Sequence, residues 1–247
     1  MSVIMLGGGT PGQPPSNFAN LEGWWKADEH AYSTDDTVLA VDGAVVVQWK
    51  DQSGNSRHLT DGVGPLFETN EVNGYPVLRF DGVNDVLVST AVASDFVDNN
   101  LYTIFVAVKM AANSDGILYF DDNIAAQNAI SLAADGNSDI QLVNYDGSSD
   151  SIVKAGTMLS TWHIVTAMHS GGNILVGLTD TRDASLGSAA SGNTSVLTQV
   201  LNVGRNRGAF GAMDLAELII FDVALSESDR QQIEMYLAHK YAITLPY

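Results

Sequence analysis

The amino-acid sequence predicts an all-β fold that ends in a single helix. Short runs rich in β-branched and aromatic residues recur along the chain, and helical periodicity is seen only near its C-terminal end. Many short strands without intervening helices indicate two packed antiparallel sheets. With 45% apolar residues in 247, such a domain can bury a sizeable core. Tight turns between the runs are predicted from a recurring Asp-Gly pair, at Asp42, Asp61, Asp81, Asp115, Asp135 and Asp146.

The chain is predicted to begin with a flexible arm, residues 1–17, followed by one folded domain, residues 18–247. Glycine repeats and prolines between residues 7 and 15 favour no regular element, because glycine is too free and proline lacks the amide donor. Apolar side chains in water are unfavourable, so the arm's tip is expected to dock on its own domain or on a partner. The predicted docking residues are Val3, Ile4, Met5 and Leu6.

Strands are predicted in order at 44–49, 77–80, 86–88, 101–108, 116–120, 129–132, 140–143, 162–168, 174–178, 200–203 and 215–221. The second and third of these flank Asp81-Gly82, which predicts a hairpin. The helix is predicted to begin after Ser226, with Asp229 completing a capping box. Its apolar stripe is Ile233, Tyr236, Leu237 and Tyr241.

Charge and cysteine content exclude several functions. The formal net charge is −18, which repels the phosphates of nucleic acids and anionic lipids. The chain has no cysteine, which excludes disulfides and thiolate metal sites. No run reaches membrane-spanning length, and the N-terminus lacks the basic and apolar regions of a signal peptide. The chain is therefore expected to be made and released in the cytoplasm, unless a leader segment was removed from it.

Five segments resemble, in order, the bacterial and bacteriophage branch of the concanavalin A-like (laminin-G-like) jelly-roll family. They are GWWKAD at 23–28, VQWKDQSGN at 47–55, VLRFDGVND at 77–85, TIFVAV at 103–108, and AELIIFD at 216–222 with the helix that follows. The resemblance covers residues 21–243 and implies a sandwich of two antiparallel sheets with a short C-terminal helix. It does not imply one function, because such modules occur in lectins, adhesins, glycanases and virion proteins.

No catalytic or cofactor-binding residue is predicted. Glycanases of this fold resemble one another in paired carboxylates on one strand face, and that motif is absent here. The acids Glu217 and Asp222 are an odd number of residues apart, so a regular strand points them to opposite faces, and Glu217 is expected to make a structural contact. His163 and His169 lie roughly 20 Å apart along one strand, too far to share a metal. The chain is therefore not expected to be an enzyme.

Calcium is the one metal that the sequence suggests. Alternating oxygen-bearing side chains begin an EF-hand-like pattern, although Ile140 stands where that loop requires glycine, and a hairpin turn explains the segment equally well. The candidate ligands are Asp135, Asn137, Asp139 and Asp146. Asp51 and Asp81, by contrast, are expected to hold turns through bonds to the backbone.

Aromatic residues divide into candidate glycan contacts and candidate core. Glycan binding requires exposed aromatic faces with polar neighbours, and the candidates near predicted turns are Tyr119, Tyr145 and Phe210. The tryptophans are expected to be buried, namely Trp24, Trp25, Trp49 and Trp162.

Two functions are favoured over a third, a glycan-active enzyme. The first is a non-enzymatic bacteriophage virion surface protein, on the capsid or tail, that docks through its arm on other virion proteins or sister subunits and forms a homo-oligomer. The second is a secreted or cell-surface bacterial lectin-like module that binds carbohydrate, including cell-surface glycans. The first hypothesis rests on the arm, the acidity and the missing export signal, and the second on the family resemblance.

Overall fold

A computed structural model of the chain describes residues 11–34, 37–60, 63–97, 101–111, 116–120, 129–145, 150–158, 160–178, 187–190, 198–206 and 208–246. These residues contain one α-helix, α1 (Glu227–Tyr241), and twenty strands. The strands are β1 (Leu21–Lys26), β2 (Ala31–Thr34), β3 (Val38–Leu39), β4 (Gln48–Trp49), β5 (Leu59–Thr60), β6 (Leu66–Val72), β7 (Tyr75–Asp81), β8 (Leu87–Val92), β9 (Leu101–Met110), β10 (Gly116–Phe120), β11 (Ala129–Ala134), β12 (Asp139–Tyr145), β13 (Asp150–Thr157), β14 (His163–Ser170), β15 (Asn173–Leu178), β16 (Gly187–Ala190), β17 (Val200–Val203), β18 (Arg205–Asn206), β19 (Ala209–Phe210) and β20 (Ala212–Phe221).

Two antiparallel sheets form the sandwich. Within the described residues, the eight-stranded sheet has the order β16-β15-β14-β9-β20-β7-β6, and β1 also pairs with β20. The ten-stranded sheet has the order β13-β12-β11-β10-β17-β8-β5-β4-β2-β3, and β18 and β19 form a separate hairpin. The predicted jelly-roll sandwich of two antiparallel sheets with one C-terminal helix is therefore confirmed.

The main core lies between the two sheets. Alternate side chains of each strand point into it, and Trp25, Trp49, Phe80 and Phe120 are among its fully buried members. Large aromatic side chains contribute most of the apolar area that such a core removes from water. The predicted burial of Trp24, Trp25 and Trp49 is confirmed, although Trp24 faces the other side of its sheet.

Helix α1 packs on the outer face of the eight-stranded sheet, the face turned away from the other sheet. Ser226 caps it, since its hydroxyl accepts the Asp229 amide at 3.2 Å. Ile233, Leu237 and Tyr241 are buried in a second apolar cluster with residues of β1, β9 and β20, while Tyr236 is half-buried. The predicted apolar stripe is confirmed.

The start of the described chain lies against this helix. A Cβ added to Gly12 would come within 2.0 Å of the Gln232 carbonyl oxygen, so only glycine permits the contact. A short 3-10 helix over Pro15–Asn17 then leads into β1. The predicted docking residues Val3, Ile4, Met5 and Leu6 lie outside the described residues.

The predicted hairpin around Asp81 is wrong, because β7 belongs to the eight-stranded sheet and β8 to the ten-stranded sheet. The carboxylate of Asp81 accepts the amides of Val83 at 2.7 Å and Asn84 at 3.2 Å, and Asp85 accepts the Asp81 amide at 2.8 Å. These bonds satisfy the turn internally, so the flanking strands need not pair. The expected turn-holding role of Asp81 is confirmed.

Asp51 holds a second turn in the same way. Its carboxylate accepts the backbone amides of Trp24 at 3.0 Å and Ser53 at 2.8 Å. It also accepts the Arg57 amide at 3.1 Å, so one side chain ties β1 to the loop that follows β4. The expected structural role of Asp51 is confirmed.

Candidate functional site

Strand β20 carries two acids on the outer face of its sheet. Asp214 lies opposite Arg79 of β7 and Lys109 of β9. The pairing with β9 then shifts between Leu215 and Glu217, so Glu217 lies opposite Ala107. A β-bulge inserts one residue and reverses the alternation beyond it. Asp214 and Glu217 therefore share a face although they are an odd number of residues apart.

Asp214 is the centre of a charged row that crosses three strands. Its carboxylate accepts bonds from Arg79 Nε at 2.7 Å and Nη2 at 3.2 Å, and from Lys109 Nζ at 2.6 Å. Burial alone would raise the pKa of Asp214, but the bonds from Arg79 and Lys109 outweigh it and lower the pKa. Asp214 is thus an ionised partner of both cations.

Arg79 extends the row toward the sheet edge. Its guanidinium lies 3.1 Å from Glu71 and 3.7 Å from Glu68, both on strand β6. The hydrogen bond to Asp214 raises the pKa of Arg79, and the interactions with Glu71 add to this effect. The row therefore holds three carboxylates and two cations, all partly accessible except Asp214.

Two shallow hollows flank this row. The first has a volume of about 510 Å³ and is lined by side chains that include Glu71, Asn73, Thr161, Trp162 and Thr244. The second has a volume of about 400 Å³ and is lined by residues that include Arg79, Lys109, Ala111, Ser160 and Asp214. We call the two together the outer-face groove.

Two contacts join the hollows. Lys109 Nζ, in the second hollow, lies 5.5 Å from the centre of the Trp162 ring in the first. Glu71, in the first hollow, reaches Arg79 in the second at 3.1 Å. The outer-face groove is therefore one surface with an aromatic end and a charged end.

The expected burial of Trp162 is only partial, because its side chain is half-buried against the apolar cluster under α1. Trp162 precedes β14 rather than lying within it, at the margin of the apolar cluster under α1. One part of the indole packs on that cluster, and the rest lines the first hollow. The groove thus offers an aromatic surface beside polar side chains.

Glu217 has a different environment, beneath helix α1. It is fully buried and accepts bonds from Trp24 Nε1 at 2.6 Å, Lys240 Nζ at 2.9 Å and the Tyr241 hydroxyl at 2.7 Å. Burial raises the pKa of Tyr241, and the Glu217 charge raises it further. The expected structural contact of Glu217 is confirmed.

The calcium candidates that the structure describes form a hairpin turn between β11 and β12. The Asp135 carboxylate accepts the amides of Asn137 at 2.8 Å and Asp139 at 3.0 Å. The Asp139 carboxylate accepts the Thr157 hydroxyl at 2.6 Å, and Asp146 lies outside the described residues. Across the described ranges, no group of three or more acids and histidines gathers as a metal site would require.

Of the glycan candidates chosen from the sequence, Tyr119 and Phe210 do not line the groove. Tyr119 was a candidate near a predicted turn, but it is buried within β10, a strand flanked on both sides by neighbours. Phe210 is half-buried in the hairpin of β18 and β19, and the Tyr145 side chain lies outside the described residues. The structure instead brings Arg79, Lys109 and Trp162 together. Lys109, a charged residue near the end of the otherwise apolar run 101–110, was the sequence signal that this part of the sheet is open to solvent.

No protein family model and no curated protein sequence matches this chain. Solved structures do share its fold. Domain 4 of AbnA, an extracellular arabinanase from Geobacillus stearothermophilus solved with arabinotriose, superposes with a TM-score of 0.61 at 13% identity, covering 88% of this chain and 98% of that domain.

Two further structures are similar over part of their length. The binding domain of Paraclostridial Mosquitocidal Protein 1 gives a TM-score of 0.59 at 12% identity, covering 88% of this chain and 52% of that one. The Trypanosoma rangeli sialidase bound to the inhibitor DANA gives 0.55 at 12% identity, covering 88% of this chain and 33% of that one. These likenesses support the β-sandwich fold. In the described residues no helix has the length and apolar character needed to cross a membrane.

Proposed function

We propose that this chain is a non-enzymatic carbohydrate-binding β-sandwich module and that its ligand lies in the outer-face groove. The half-buried Trp162 carries the proposal, because it presents ring surface beside Glu71, Asn73 and Thr161. Sugars combine apolar C–H faces with hydroxyl groups, so they bind where an aromatic surface meets polar side chains.

The fold comparisons support this reading over virion display. The arabinanase domain was solved with arabinotriose, and the mosquitocidal protein domain is described as a binding domain. The virion hypothesis depends on the arm, whose docking residues lie outside the described residues, and it stays a prediction.

A binding role fits the state of the acids better than catalysis does. A glycosidase needs one protonated and one ionised carboxyl group with access to substrate. Asp214 is held ionised by Arg79 and Lys109, and Glu217 is buried among Trp24, Lys240 and Tyr241. Neither acid is placed to donate a proton to a glycosidic oxygen.

The test is a binding assay on soluble and insoluble glycans by affinity electrophoresis and calorimetry. We expect Trp162→Ala to abolish binding and wild-type tryptophan fluorescence to shift on saturation, because Trp162 is half-buried whereas Trp24, Trp25 and Trp49 are buried. Phe210→Ala is the matched control, since it removes another half-buried aromatic ring, in the hairpin of β18 and β19. Binding that survives Trp162→Ala, or release of reducing sugar by the purified protein, would contradict the proposal.

A further inference from the structure

The groove's charges and its two hollows define the kind of glycan that fits. We infer that the outer-face groove binds a chain segment of a neutral oligosaccharide, spanning both hollows, rather than an acidic glycan or a single sugar. This inference rests on the proposed function and adds the class and length of the ligand.

The cations of the groove are already neutralised. Arg79 makes two bonds to Asp214 and lies 3.1 Å from Glu71, and Lys109 lies 2.6 Å from Asp214. A uronate or sialate carboxylate would have to displace one of these internal partners, two of which reach Arg79 from different strands. Arginine held in a two-pronged bond to a buried carboxylate is a poor receptor for a second anion.

The wider charge also opposes an acidic ligand. The row holds three carboxylates, Glu68, Glu71 and Asp214, against two cations, Arg79 and Lys109, so its net charge is negative. The whole chain carries a formal charge of −18. An anionic polymer would therefore approach against repulsion at long range and at the groove itself.

Neutral sugar hydroxyls fit the same groups. A hydroxyl both donates and accepts, so it can bridge a carboxylate and a neighbouring cation without breaking their pair. The first hollow adds Asn73, Thr161 and Thr244, all exposed, around the Trp162 ring. A neutral glycan can therefore hydrogen-bond along the groove without displacing an ion pair.

The length of the ligand follows from the division of the groove. The hollows of about 510 and 400 Å³ lie on either side of the contact between Lys109 and Trp162. Each is within the range of about 300–1,000 Å³ that holds a small ligand. A sugar on Trp162 in the first hollow would place the next units toward Asp214 in the second.

The experiment compares neutral and acidic probes of equal length. The neutral probes are arabinotriose, xylotriose and cellotriose with their monosaccharides, and the acidic probes are trigalacturonate and sialyllactose. Each probe is titrated separately into the protein at low and at high salt. We expect a neutral trisaccharide to bind at least about tenfold more tightly than its monosaccharide, with a dissociation constant that changes less than about twofold with salt. Neither acidic probe should bind.

A variant that fills only the second hollow separates chain binding from single-sugar binding. Ala111→Trp places a bulky side chain at an exposed position in that hollow, and Ser170→Trp places the same bulk at the far end of β14. We expect Ala111→Trp to weaken the trisaccharide about tenfold while leaving the monosaccharide unchanged, and Ser170→Trp to change neither.

The outcomes distinguish this inference from the proposed function. Trp162-dependent binding of an acidic probe would overturn the neutral class and leave the carbohydrate-binding function standing. Equal affinity for mono- and trisaccharide, insensitive to Ala111→Trp, would overturn the two-hollow chain and also leave the function standing. If no neutral or acidic glycan binds the folded protein, both fall.

Discussion

Asp214 and Glu217 occupy the same face of the same strand, yet they have opposite surroundings. Glu217 is fully buried under helix α1 and accepts hydrogen bonds from an indole N–H, a lysine and a tyrosine hydroxyl. Asp214 lies beyond the helix and pairs with Arg79 and Lys109, whose side chains are 37% and 30% exposed. Helix α1 covers the Glu217 region of the outer face and leaves the Asp214 region as a groove.

Under the proposed function, the two regions of this sheet face serve different purposes. A buried charge is tolerated only when its partners are complete, and losing one partner leaves an uncompensated charge. The Glu217 network therefore fixes the helix in one position. Ion pairs whose cations are partly exposed add little stability, and the exposed cations can make an additional bond to a ligand's hydroxyl. The Asp214 row is suited to recognition for this reason.

A second buried carboxylate strengthens the helix side of this comparison. Glu234 of α1 is fully buried, accepts the Thr166 hydroxyl at 2.8 Å and pairs with Arg230 at 2.6 Å. The helix thus inserts one acid toward the sheet while the sheet offers Glu217 to Lys240 of the helix. The apolar stripe sets where the helix packs, and these bonds restrict how it is turned.

The largest effect is expected from Glu217→Ala. Lys240 would keep Asp28 at 2.8 Å but lose its buried partner, so we expect a loss of about 3–5 kcal/mol in the free energy of unfolding, measured in urea. Glu227→Ala, an exposed acid in the first turn of α1, is the control and should cost less than about 1 kcal/mol. Equal effects of the two would show that the Glu217 network does not hold the helix.

Leu237→Ala tests the apolar part of the same contact. Leu237 is fully buried between α1 and the sheet. Its truncation removes buried apolar surface and leaves a cavity, so we expect the free energy of unfolding to fall by about 2–5 kcal/mol. His239→Ala, at an exposed position of the same helix, should leave the thermal midpoint nearly unchanged. An unchanged midpoint for both Leu237→Ala and Ile233→Ala would mean that the stripe is not packed.

Sequence patterns predicted these elements where the determining signal is local. The helix follows from Ser226 and a stripe of 3.6-residue period, and most strands follow from runs of β-branched residues. Sheet membership is not local, which is why the Asp81 turn was assigned to a hairpin although its strands belong to different sheets.

The groove was beyond sequence reasoning for two reasons. Alternation along a strand assigns faces only if the strand is regular, and the bulge after Leu215 brings Asp214 and Glu217 to the same face. The exposure of Trp162 depends on where α1 ends its cover of the sheet, a tertiary fact that no neighbouring residue encodes. The apolar pattern around Trp162 predicted a buried side chain, but the place of Trp162 at the margin of the helix contact leaves part of its ring accessible.

Trp162→Ala should affect binding far more than stability. Truncating a fully buried tryptophan lowers the free energy of unfolding by about 3–5 kcal/mol, and we expect this loss for Trp25→Ala. Because Trp162 is half-buried, we expect Trp162→Ala to lower it by about 1–2 kcal/mol. Urea unfolding of both variants beside glycan titration measures the two effects separately. A stability loss for Trp162→Ala as large as that for Trp25→Ala would place Trp162 in the core. The contrast between the helix-covered Glu217 region and the open Asp214 region would then no longer hold.

The smallest effect is expected from Asp214→Asn, and its pH dependence identifies it. The pKa of Asp214 in the folded protein lies below its ordinary value of 3.8, so the ionised form favours folding. The stabilisation is therefore complete above the ordinary pKa and is lost as the pH falls through the lowered one. At neutral pH we expect Asp214→Asn to cost about 1 kcal/mol, because Arg79 and Lys109 are partly solvated.

The measurement is the difference in unfolding free energy between wild type and Asp214→Asn from pH 7 down through the ordinary pKa of 3.8. Asp85 titrates in the opposite sense, since burial raises its pKa, but it is present in both proteins and its contribution cancels. The difference should shrink only below the ordinary pKa and should be smaller at high salt, because half-exposed pairs are screened. A difference that grows on acidification would mean that burial raises the pKa of Asp214 by more than Arg79 and Lys109 lower it. The carboxylate would then destabilise the folded protein instead of stabilising it.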